Sequence, residues 1–91
     1  MKPLPDDVKS YKLTPMFTHE TVPPGFLKNH RTKENVWGLI QVVEGKLEYN
    51  IENDETYILE PGKNGVIEPK ITHSIRPLGQ VTFFIEFYKK V

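Results

Sequence analysis

Cysteine is absent from this 91-residue chain, which excludes a disulfide scaffold and a zinc ribbon and leaves His, Asp and Glu as the only plausible metal ligands. Charge of either sign is not in excess. Twelve basic residues balance twelve acidic ones, so no global field draws the chain toward nucleic acid or an anionic membrane, and partners must be sought at a local site. No apolar run approaches a membrane span, and the opening Met1-Lys2-Pro3-Leu4-Pro5-Asp6-Asp7 lacks the apolar core of a signal peptide, so a soluble cytoplasmic protein is expected. No glycine-rich nucleotide loop occurs, and helical periodicity never persists for three turns. The length allows one modest core and no second domain.

What is present is β-strand pattern cut by proline and glycine. Residues 1–10, with two prolines and two aspartates, form an extended arm that drapes over the body, and an edge strand begins at Tyr11 and kinks at Pro15. Val36–Val43 is almost continuously apolar, as suits a strand covered on both faces, with Gly38 marking a bulge or a close approach. Glu44-Gly45 is expected to close a tight hairpin into Lys46–Glu52, where Leu47, Tyr49 and Ile51 share one face. Asn53-Asp54 turns the chain into Thr56–Leu59, and Pro61-Gly62 turns it again into Gly65–Glu68. His73–Arg76 runs to a turn at Pro77-Leu78-Gly79, and Val81, Phe83, Ile85 and Phe87 form the apolar face of the last strand. The result is an all-β single domain, a β-sandwich or small barrel of seven or eight short strands.

Candidate chemistry gathers at two places. The polar run Lys28–Asn35 enters directly onto an apolar strand, so it is either a solvated loop or a rim that presents His30 as a ligand with Arg31 or Lys33 as anion donors. His73 follows the Pro69 break, where a strand end re-aims side chains. It is either a ligand or a structural hydrogen-bonding histidine, and Glu68 beside the proline is either a ligand or the cap of its strand. Arg76 is a further cation that an oxyanion could use. Against these, His19 fits a solvated loop, Trp37 fits sheet packing better than ligand stacking, and Glu86 lies opposite the main apolar face of its strand.

The series Val42-Val43-Glu44-Gly45-Lys46-Leu47-Glu48-Tyr49, Glu60-Pro61-Gly62 and Pro69-Lys70-Ile71-Thr72-His73 resembles the frame of the cupins, a jelly-roll superfamily. His30-Arg31-Thr32-Lys33, Val36-Trp37-Gly38, Val66-Ile67-Glu68-Pro69 and Phe83-Phe84-Ile85-Glu86-Phe87-Tyr88 resemble more narrowly the small TehB/YeaR-like cupins, which occur alone or ahead of the methyltransferase in tellurite-resistance protein B. The resemblance implies a cupin-type jelly roll that binds a metal ion or a small oxyanion in its mouth, linked to tellurite resistance or stress response. It departs from the metal-using pattern: there is no His-x-His pair, Gly38 stands where the downstream Glu would be, and Ile71 replaces a glycine. His30, Glu68 and His73 are thus the expected ligands of a divalent Zn, Fe, Mn or Ni ion, with Arg31, Lys33 and Arg76 as anion donors. A metal-dependent dioxygenase or isomerase and a structural or regulatory dimerisation module are the alternatives. A homodimer is expected, from sheet edges that need covering.

Overall fold

Two long strands carry the molecule. The computed structural model describes residues 1–91 and contains β1 (Val8–Leu13), β2 (Phe17–Thr18), β3 (Val36–Ile51), β4 (Thr56–Leu59), β5 (Gly65–Ile67) and β6 (His73–Lys90). One 3-10 turn at Pro24–Leu27 is the sole helical segment, so no helix is long and apolar enough to cross a membrane. All pairings between these strands are antiparallel. β3 and β6 form the central ladder; β4 and β5 line the other edge of β3, while β1 and β2 line the other edge of β6. The strand path β1-β6-β3-β4 does not return on itself, so the sheet is open and the closed-barrel form of the expectation is not made.

The long strands also correct the two expected turns. Gly45 does not close a hairpin: β3 runs through it, Gly45 pairs with Val81, and the register shifts on either side of it. β6 likewise runs through Pro77-Leu78-Gly79, with Pro77 opposite Leu47. The physical reason is a β-bulge at positive φ, which Gly45 adopts at 84°. An added Cβ there would strike the Gln80 carbonyl oxygen and come within 2.9 Å of the Val81 Cα, so only glycine fits.

That irregularity organises the core. Before it, Gly38, Ile40 and Val42 are buried at even positions; after it, Leu47 and Tyr49 are buried at odd ones. Strands alternate faces with a period of two, so one extra residue resets which set points inward. Val36–Val43 is therefore covered on one face, with Val43 half exposed, rather than on both. The inward sets meet Ile75, Val81, Phe83 and Ile85 of β6, Leu59 of β4 and Ile67 of β5 in one cluster. Gly38 marks a close approach, since a Cβ there would lie 2.9 Å from Ile67 Cδ1, and the register beside it is unbroken. The Val66 amide lies 3.0 Å from Met1 Sδ and Lys90 Nζ lies 2.9 Å from Asp7 Oδ2, while Val8, Lys9 and Ser10, expected in an extended arm, belong to β1.

Candidate functional site

Residues 30–33 are an extended segment stitched to the stretch that follows β5. His30 and His73 exchange both backbone hydrogen bonds at 2.7 Å, and the Lys70 amide donates to the Thr32 carbonyl at 3.1 Å. The buried Thr32 hydroxyl donates to the Val36 carbonyl at 2.8 Å. With Thr32 turned into the body, its neighbours Arg31 and Lys33 are exposed on the opposite side, as alternation along an extended chain requires.

The bridge brings the two expected histidines together. Their ring centroids lie 5.4 Å apart at an interplanar angle of 77°. The pair continues a file of rings: Phe26 packs edge-on to His30 at 4.9 Å, and Tyr49 to His73 at 5.9 Å. His73 is 4% exposed and its Nδ1 lies 3.2 Å from the Ile71 carbonyl. Burial holds its pKa below the usual 6.5, helped by repulsion from His30 and opposed by the Ile71 contact. His30 Nδ1 is buried without a hydrogen-bond partner.

An unpartnered buried imidazole nitrogen beside a second imidazole is suggestive of coordination, but two rings do not make a resident centre. The Glu68 carbonyl accepts from the Ile71 amide and the Thr32 hydroxyl, and no group of three His, Asp or Glu side chains is placed to hold a metal ion. Of the expected trio, the structure brings His30 and His73 together, and no third His, Asp or Glu joins them in a group placed to hold a metal ion.

A cavity of about 280 Å³ opens on the other side of the 30–33 segment, between it, β1 and the end of β6. Its cations are Lys12, Arg31 and Lys33, its apolar walls are Tyr11, Val36 and Phe87, and His30 and Thr32 complete it. No acidic side chain lines it, and none of the three cations takes part in any of the chain's ion pairs. A smaller cavity of about 180 Å³ lies against His73 and includes Asn29, Asn50 and Ser74.

The other candidates are placed elsewhere. Arg76 lines neither cavity, because its guanidinium is held bidentately by Glu48 at 2.8 and 3.2 Å. Glu86 accepts from Gln41, Tyr88 and Ser10 and ties three strands together. Trp37 pairs with Tyr88 across the ladder and lines neither cavity, and His19 sits in a loop beside Glu20. Tyr11, Lys12, Thr32 and Phe87 are site residues that sequence reasoning missed. The alternation of polar and apolar residues places Tyr11 and Lys12 on opposite faces. β1, however, shifts register between Ser10 and Lys12, so both reach one cavity.

The family model for the TehB-like domain matches residues 12–85. The probable S-adenosyl-L-methionine-dependent methyltransferase TehB of Haemophilus influenzae is 31% identical over 74 residues, which are 75% of this chain and 26% of that protein. The chain thus spans about a quarter of that relative's length. The crystal structure of TehB from the same organism superposes with a TM-score of 0.84 at 28% identity, covering 93% of this chain and 32% of that one. YeaR of Escherichia coli K12 is 25% identical, over 97% of this chain and 83% of that protein. A crystal structure of an Escherichia coli K12 protein superposes with a TM-score of 0.90 at 22% identity, over 100% of this chain and 99% of that one, a likeness of fold alone.

Proposed function

The chain belongs to the TehB-like domain family, and from that premise we propose that it is a small-anion-binding domain of cupin type, linked to oxyanion resistance of the tellurite kind. The observation that carries the proposal is the cavity with three cations and no acid. Of the chain's twelve lysines and arginines, Lys63, Arg76 and Lys90 are each paired with a carboxylate and the other nine are not. Lys12, Arg31 and Lys33 have none within ion-pair distance and converge on one hollow, which favours a negative guest.

The chemistry follows from the side chains. Arg31 offers a planar fork matched to two oxygens of one oxyanion, while Lys12 and Lys33 supply mobile point charges on either side. Thr32 and the His30–His73 bridge fix the segment that bears Arg31 and Lys33, so the backbone carrying the two cations is set before a ligand arrives. Because the cations are exposed, binding weakens as ionic strength rises.

The test is a thermal-shift titration with inorganic selenite or tellurite. A ligand that binds only the folded state raises the melting temperature by mass action. The rise is expected in the parent chain and in Arg76→Ala, and is expected to disappear in the Arg31→Ala, Lys33→Ala double variant. An equal rise in all three would sink the assignment.

A further inference from the structure

The walls of the same cavity carry a second message about its guest. We propose that the ligand is an organic anion with a flat apolar body, a carboxylate or phosphate monoester, and that Tyr11 selects for that body. The inference rests on the anion-binding reading above and puts an organic anion in place of the bare oxyanion as the preferred guest.

A bare oxyanion is small and strongly hydrated, and gains little from apolar walls. This cavity has three apolar lining residues, Tyr11, Val36 and Phe87, alongside its cations. Its volume of about 280 Å³ holds on the order of nine water-sized groups at about 30 Å³ each, more than a single oxyanion fills. Small-molecule sites combine apolar walls with placed polar groups, and this cavity has three apolar residues among five polar or charged ones.

The bulge in β1 is the second, independent observation. Tyr11 and Lys12, neighbours in β1, both line the cavity, and β1 shifts register between Ser10 and Lys12 at that point. Bulges recur beside binding sites because they re-aim a side chain. Here the effect is to set an aromatic ring next to a cation on the same wall. The Lys89 ammonium lies 4.7 Å from the centroid of the Tyr11 ring, which gives the ring a partner although Tyr11 is 47% exposed.

The experiment separates body from head. Calorimetric titrations at matched ionic strength would compare benzoate with acetate and phenyl phosphate with inorganic phosphate. For each head group, the aromatic compound is expected to bind at least tenfold tighter to the parent chain. Tyr11→Ala is expected to bring each aromatic ligand down to its small counterpart and to leave acetate and phosphate unchanged, while Tyr11→Phe keeps the preference and controls for folding of the edge strand. Arg31→Ala with Lys33→Ala should abolish all four. Equal affinities within each pair, or a preference that survives Tyr11→Ala, would overturn the selection proposal and leave anion binding standing. Absence of binding by all four ligands to the parent chain would overturn both.

Discussion

The chain has only two arginines, and they have opposite fates. Arg76 stands on β6 opposite Glu48 of β3, and the ladder register puts a carboxylate within 2.8 Å of its guanidinium. Arg31 stands on a segment held by backbone bonds, beside Lys33 and across from Lys12, with no carboxylate in reach. The first is a cross-strand pair that supports the sheet. The second is a charge left unpaired at a cavity, and that contrast separates a part of the ribbon that holds the fold from the part proposed to meet a ligand.

The largest expected effect removes the bulge that sets which residues of β3 point into the core. Gly45→Val should cost about 3 kcal/mol, combining a side chain forced to positive φ with overlap on the Gln80–Val81 backbone. Urea unfolding would measure it, and a variant as stable as the parent would mean the bulge is misplaced. Next in size, replacing Arg31 and Lys33 by alanine should weaken anion binding at least tenfold with the melting temperature unchanged. Arg76→Ala should do the reverse, leaving affinity intact. Identical affinity losses in the two variants would erase the distinction between the arginines.

A smaller effect comes from His73. Its folded pKa lies below 6.5, so the unfolded chain takes up the proton first. Stability is fully present above about 6.5 and declines as pH falls below it. His73→Phe, which keeps a ring beside Tyr49, should flatten that slope between pH 7.5 and 5; an unchanged slope would acquit the histidine. Smallest is Glu48, whose pKa Arg76, and secondarily Asn50, draw down from 4.5 to about 2. A depressed carboxylate contributes above its unfolded pKa and loses that contribution between about 4.5 and 2 as acid is added. The group is solvent-exposed, so water screens the pair and the slope should be slight. Arg76→Gln should remove it, as acid titration of the unfolding midpoint would show.

Much of this was legible in the residues. The all-β class follows from period-two patterns broken by proline and glycine, and the Asn53 turn at φ 61° follows from the tolerance of Asn for that conformation. His30 and His73 were legible as partners because one lies in a polar run and the other after a proline break, both beside apolar strands. The Gly45 signal was misread because glycine at positive φ serves hairpins and bulges alike, and only the partner strand decides between them. Arg76 was indistinguishable from Arg31 as a type; its fate depends on Glu48, 28 residues away. Tyr11 and Lys12 were hidden for a similar reason, since the shift that turns both to one cavity is defined against β6.

The two arginines also provide the most direct test. Nitrogen-15 spectra of the guanidinium Nε–H groups would report Arg31 and Arg76 as separate signals during a titration with inorganic phosphate at constant ionic strength. The account predicts that the Arg31 signal moves and saturates while the Arg76 signal, held by Glu48, stays in place. Movement of Arg76 with Arg31 fixed, or parallel unsaturating drift of both, would contradict it.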